Sequence, residues 1–63
     1  MPVPRAVYGL TPAVDYAWCK RGFVGQVSAW SVRDPMLNLK LEYGAFATKE
    51  EAMRRAVEKW NTL

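Results

Sequence analysis

The sequence predicts an α+β fold, a three-stranded antiparallel meander with one C-terminal α-helix packed on one face (βββα). Apolar and polar residues alternate through Leu37–Tyr43, which is typical of a strand with one buried face. After Gly44 the apolar residues follow a period of about 3.6, as in a helix that covers a core. A strand therefore leads directly into the C-terminal helix.

The start of the chain is predicted to be irregular. Pro2 and Pro4 disfavour a helix there, and Arg5–Tyr8 could form either an edge strand or part of an arm, of which we favour the arm. We expect the 63 residues to form one small domain. Residues 1–12 are its irregular N-terminal arm, and residues 13–62 are its sheet and helix.

The first two strands are predicted to form a hairpin. Alternate residues of Ala13–Cys19 are large and apolar, and Lys20–Gly22 supplies turn residues before the strand-forming run Phe23–Val32. A second interpretation makes Thr11 a helix N-cap, with a short helix over residues 12–19. The sequence leaves both interpretations open, and the hairpin is favoured.

Turn and capping residues join the remaining elements. Arg33–Met36 contains the Asp and Pro typical of a turn. Thr48 is the expected N-cap of a helix over Lys49–Thr62, and Glu51 can reach back to the Thr48 amide in a capping box. The apolar stripe of this helix ends at Trp60, which is expected to cover the end of the third strand.

Composition limits the function. A hydrophobic fraction of 51% and an aromatic fraction of 13% favour a packed core over disorder. The single cysteine, Cys19, cannot form an internal disulfide, and the chain has no histidine. We expect no metal, no cofactor and no small-molecule substrate. Without a histidine base, a phosphate loop or a suitable carboxylate pair, an enzyme is not expected.

Charge and hydropathy bear on partners and location. The net charge of +3 slightly favours anionic partners. No stretch is apolar enough to span a membrane, and the N-terminus lacks the apolar centre of a signal peptide. The expected location is therefore cytoplasmic, with no membrane partner.

Two segments resemble a known family. Val32–Pro35 (VRDP) and Tyr43–Ala52 (YGAFATKEEA) are similar to the AP2/ERF domain and its relatives at the N-terminus of phage and transposon integrases. In that family an Arg-Asp-Pro-like turn ends one strand, and the third strand runs into a Gly-x-Phe-x-Thr-x-Glu-Glu-Ala helix start. The resemblance covers about Lys20 to Trp60. The Thr-x-x-Glu-Ala part also begins helices in other small domains, such as HicB antitoxins.

The resemblance implies a DNA-binding module that grips duplex DNA with the exposed sheet face in the major groove. In such an interface arginine pairs with guanine, asparagine pairs with adenine and lysine neutralises phosphate. The residues of this chain at the matching positions are Arg21, Ser31, Arg33, Asn38 and Lys40.

A second interpretation is a small inhibitor encoded by a phage or another mobile element, which binds a host nuclease, CRISPR effector or transcription complex. Where the family has arginines, this chain has Phe23, Gly25, Val27 and Ala29 at comparable places, a composition closer to a protein-binding patch. The open sheet face or a strand edge would then dock through Tyr16, Trp18, Val27 and Trp30, although a Trp in a central strand is more often a core residue. An open edge also allows an edge-paired dimer in place of a monomer.

Overall fold

The computed structural model describes all 63 residues. Three strands, β1 (Ala13–Cys19), β2 (Gly22–Trp30) and β3 (Asn38–Phe46), form an antiparallel sheet in the order β1-β2-β3. One helix, α1 (Lys49–Trp60), follows them. The predicted βββα fold is confirmed. The short helix over residues 12–19 is wrong, because β1 pairs with β2 along its whole length.

A two-residue turn, Lys20–Arg21, joins β1 to β2. Gly22 follows the turn with a φ of 131°, which side chains rarely tolerate. A Cβ atom on Gly22 would also lie 2.5 Å from the carbonyl oxygen of Phe46. Backbone conformation and close approach to β3 therefore both require glycine at this position.

The pairing register decides which face of β2 is buried. Val27 lies opposite Val14 of β1 and Leu41 of β3, and directly opposite residues share one face of a sheet. Val27 and Ala29 are completely buried under α1. The AP2/ERF resemblance predicts an exposed face for Phe23, Gly25, Val27 and Ala29. That placement is wrong, because they alternate in phase with the strand residues that α1 covers.

Trp30 has the opposite orientation. It pairs with Asn38 rather than with a leucine of β3, and 57% of its surface is exposed. The expectation that Trp30 belongs to the core is therefore wrong. It is the last residue of β2, where the sheet face opposite α1 is uncovered.

Small residues bring α1 close to the sheet. The helix buries Ala52, Ala56, Val57 and Trp60, and the half-buried Leu39 and Leu41 of β3 pack against this cluster. The helix ends at Trp60, two residues before the predicted end. The backbone N–H of Asn61 then donates to the carbonyl groups of Lys59 and Val57.

The start of α1 forms half of the predicted capping box. The Thr48 hydroxyl accepts a hydrogen bond from the Glu51 amide at 3.2 Å. The Glu51 carboxylate does not return to the Thr48 amide, and that part of the prediction is wrong. It accepts instead from Arg54 at 2.5 Å and from Arg55 at 2.9 Å, because guanidinium groups three and four residues on lie on the same helix face. Arg54 also pairs with Glu58 at 3.0 Å.

The Glu51 network predicts a dependence of stability on acid. Hydrogen bonds from Arg55 and then Arg54 hold the pKa of Glu51 below its ordinary value of 4.5. Because Glu51 has a lower pKa in the folded chain than in the unfolded chain, its ionised carboxylate stabilises the fold at pH values above the unfolded pKa. This stabilisation is lost as the pH falls through the folded pKa. Between about pH 5 and about pH 3, the native chain should therefore lose stability more steeply than Glu51→Gln.

Urea unfolding at each pH measures this difference. Glu50→Gln is the matched control, because Glu50 has no ion pair and is the neighbouring residue. Parallel pH profiles for the native chain and Glu51→Gln would contradict the prediction.

The N-terminal arm is irregular but well anchored. The Trp60 indole Nε1 donates to the Arg5 carbonyl at 2.8 Å, and the Arg5 amide donates to Asn61 Oδ1 at 2.7 Å. The Asn61 amide group also donates to the Val3 carbonyl at 3.0 Å. Arg5–Tyr8 is not an edge strand, since the arm has only the isolated bridge between Val7 and Leu10. Val7 and Leu10 pack against the core.

Candidate functional site

The open face is the side of the sheet opposite α1. Side chains reach it from alternate positions of all three strands, and they are mostly polar. Because opposite residues share a face, the register assigns to the open face Ala13, Asp15 and Ala17 of β1, Val24, Gln26, Ser28 and Trp30 of β2, and Asn38, Lys40 and Glu42 of β3.

One end of the open face forms a shallow depression of about 570 Å³. Ser28, Trp30, Asn38 and Lys40 line it from β2 and β3, and the loop between these strands adds Ser31 and Pro35. The indole of Trp30 is its only aromatic group. The depression thus combines one large apolar surface with several neutral hydrogen-bonding groups.

The loop beside the depression is held by hydrogen bonds between residues two or three positions apart. The Ser31 hydroxyl accepts from the amides of Arg33 and Asp34, each at 3.2 Å. The Asp34 carboxylate in turn accepts from the Met36 amide at 3.1 Å. These are the local side-chain turns expected of Ser and Asp. The loop is therefore an ordered rim, and the acceptor capacity of Ser31 is partly used within it.

The structure gathers most of the residues that the AP2/ERF resemblance implied. Ser31, Asn38 and Lys40 line the same depression, and Arg33 lies in the adjoining loop. Arg21 lies apart from them, because it belongs to the β1–β2 turn at the opposite end of β2.

The charges of the open face do not follow the net charge of the chain. Lys40 is its only cation, against the carboxylates of Asp15 and Glu42. The Lys40 ammonium also lies 3.5 Å from Glu42 Oε1, with both side chains more than half exposed. Most of the positive charge lies elsewhere, in the β1–β2 turn and on α1: Lys20, Arg21, Lys49, Arg54, Arg55 and Lys59.

The four residues expected to bind a protein partner are divided between two faces. Trp30 is on the open face, whereas Tyr16 and Trp18 are opposite Gly25 and Phe23 on the side of α1. Trp18 is 69% exposed there, and the Lys49 ammonium lies 5.3 Å from the centre of the Tyr16 ring. Val27 is completely buried and offers no surface to a partner.

Three residues of the open face were not predicted from the sequence as site residues. Gln26 and Ser28 line the depression together with Asp15, but none of them was singled out. Their orientation follows once Val27 is aligned with Leu41. Alternation within Gly25–Trp30 contained this signal, because Gln26, Ser28 and Trp30 share one parity and the small or apolar residues share the other.

The fold and this surface define a structural class: a small open-sheet α+β domain with an exposed tryptophan on its uncovered sheet face. It has no group of His, Cys, Asp and Glu side chains that could hold a metal ion. The twelve-residue α1 does not meet the length and hydropathy of a membrane-spanning helix. No family model matches the chain, and no curated protein or solved structure is significantly similar to it.

Proposed function

We propose that this chain is a protein-binding domain that docks onto a partner protein through its open face, with Trp30 at the centre of the contact. The exposure of Trp30, 57% in the unbound chain, is the observation that carries the proposal. Trp is among the residues that contribute most to binding when a partner covers them.

The surroundings of Trp30 fit a protein surface. Ser28, Asn38 and Gln26 offer neutral donors and acceptors, which cost less to desolvate than charges. The adjoining loop adds Val32 and Met36, which are 92% and 89% exposed. An apolar centre with a polar rim is the usual organisation of a protein interface.

The charges of the open face disfavour binding to a phosphate backbone. Its two carboxylates outnumber its one cation, and Glu42 already pairs with Lys40. A phosphate backbone would have to displace this ion pair and approach Asp15 and Glu42, which lowers affinity.

DNA binding of the AP2/ERF type remains a second candidate because of one observation. Three of the five implied contacts, Ser31, Asn38 and Lys40, line one depression, and a fourth, Arg33, belongs to the loop beside it. An inhibitor that covers the functional surface of a host protein complex belongs to the first, protein-binding class.

The proposal is tested with a pair of tryptophan substitutions. Immobilised native chain captures candidate partners from a lysate, and the affinity of each purified candidate is then measured by titration. Trp30→Ala should weaken binding by at least about 30-fold, the equivalent of about 2 kcal/mol. Trp18→Ala is the matched control, since Trp18 is similarly exposed but lies on the opposite face. It should bind as the native chain does.

A titration of a labelled random DNA duplex at about 50 mM and about 200 mM salt tests the second candidate. We expect no micromolar binding at either salt. Micromolar binding that collapses at higher salt, is lost in the double variant Arg33→Ala with Lys40→Ala and persists in Trp30→Ala would overturn the protein-binding proposal. Equal partner binding by Trp30→Ala and the native chain would also overturn it.

A further inference from the structure

The backbone of β1 has one unpaired side. The Ser31 amide donates a hydrogen bond to the Leu37 carbonyl at 3.1 Å. Because the direction of the backbone groups alternates along a strand, the odd-numbered residues of β2 direct theirs towards β3 in this register. The even-numbered residues of β2 therefore bond to β1, through its odd-numbered residues. The amides and carbonyls of Val14, Tyr16 and Trp18 consequently point away from the sheet, along a free edge.

This edge has only one charged residue, Asp15, to protect it from pairing with another strand. Proteins commonly place lysine, proline or inward-facing charge along an unpaired strand. The opposite edge, on β3, has Lys40 and Glu42 at outward positions and a register irregularity near its end. β1 has neither lysine nor proline, and every residue except Val14 is exposed.

We propose that the free edge of β1 pairs with the same edge of a second copy of this chain, in an antiparallel dimer with Tyr16 opposite Tyr16. In this register Val14 of each copy faces Trp18 of the other. All outward amides and carbonyls of the strand then find partners. The side chains of Val14, Tyr16 and Trp18 from both copies form one continuous apolar strip on the side of α1.

Charge selects this register from its neighbours. Here Asp15 of each copy lies opposite Ala17 of the other, on the open face. A shift that centres the pairing on Asp15 brings two carboxylates together, which is unfavourable. A shift that centres it on Ala17 leaves the backbone groups of Val14 without partners.

Asp15 limits the strength of this pairing. Its carboxylate accepts a hydrogen bond from the Tyr16 amide at 2.7 Å, and that amide is the central donor of the proposed dimer. The side chain must release it before the second copy can bind. The native chain should therefore form only a weak dimer, and Asp15→Ala should strengthen it.

Sedimentation equilibrium at protein concentrations up to about 1 mM tests the dimer. We expect a native dissociation constant of about 0.1–1 mM and about tenfold tighter association for Asp15→Ala. Two further variants test the register, in which residue 17 faces Asp15 of the second copy. Because opposite charges attract, Ala17→Lys should associate at least about tenfold more tightly than Ala17→Glu. Ala17 is exposed, and thermal melting of each variant verifies that the monomer remains folded.

Two results would overturn the proposal. One is a monomer at about 1 mM for the native chain and for Asp15→Ala alike. The other is equal association of folded Ala17→Lys and Ala17→Glu, which would show that residue 17 does not face Asp15. Neither result bears on partner binding at Trp30, which lies on the open face and is assayed at lower concentration.

Discussion

Trp60→Ala is expected to lower the free energy of unfolding by about 3–5 kcal/mol, as for other fully buried large side chains. Trp60 is only 2% exposed and packs with Val27, Ala29 and Val57. Its indole also holds the arm through the Arg5 carbonyl. A domain of this size is stabilised by only about 3–9 kcal/mol in total. The variant should therefore lose between about a third and all of its free energy of unfolding.

Trp60→Phe separates packing from hydrogen bonding. It keeps an aromatic ring but leaves the Arg5 carbonyl without its donor, so we expect a smaller loss of about 1–2 kcal/mol. Trp30→Ala is the control for a tryptophan outside the core and should cost less than about 1 kcal/mol. Urea unfolding followed by far-ultraviolet circular dichroism measures all three. Equal losses for Trp60→Ala and Trp30→Ala would contradict the described core.

Gly25→Ala is expected to cost about 3 kcal/mol or more, although it adds only one methyl group. A Cβ atom at Gly25 would lie 2.0 Å from the Ala52 carbonyl oxygen and 2.7 Å from the Ala56 methyl group. The first obstacle is helix backbone, which no side-chain rotation can remove. The whole of α1 would have to move away from β2.

Gly9→Ala is the matched control for this substitution. A Cβ atom at Gly9 meets nothing within 4 Å, and only its φ of 74° opposes alanine, at a cost of about 1 kcal/mol. The second control is Gly25→Ala combined with Ala56→Gly, which removes the methyl contact and leaves the carbonyl contact. Full rescue by Ala56→Gly would show that the helix backbone is not the obstacle.

Strand and helix positions followed from local sequence signals. The change of hydrophobic period after Gly44 and the hydroxyl of Thr48 predicted β3, α1 and the N-cap, and each is present. These features depend on residues close in sequence. Glu51 is the exception, because two arginines and the Thr48 amide were available to its carboxylate, and sequence alone did not rank them.

The orientation of β2 could not be predicted with the same success. Alternation within Gly25–Trp30 favours one orientation, but the aromatic residues at the two ends of the strand, Phe23 and Trp30, lie on opposite faces and weaken that signal. The close approach of Ala52 to Gly25 selects the face that α1 covers, and this approach joins residues far apart in sequence. The wrong orientation placed Val27 on the surface as a candidate partner contact. It also favoured a core position for Trp30, although Trp30 was among the candidate partner contacts.

The hydrogen bonds of the arm have a consequence for the order of folding. They join residues that lie 55–58 positions apart, so they close nearly the whole chain into one loop. The chain loses conformational entropy when this loop closes, before the contacts form. Contacts between residues far apart in sequence therefore slow folding. We expect Arg5 and Val3 to form these hydrogen bonds only after α1 has formed and packed on the sheet. We therefore expect this chain to complete its folding at its two ends.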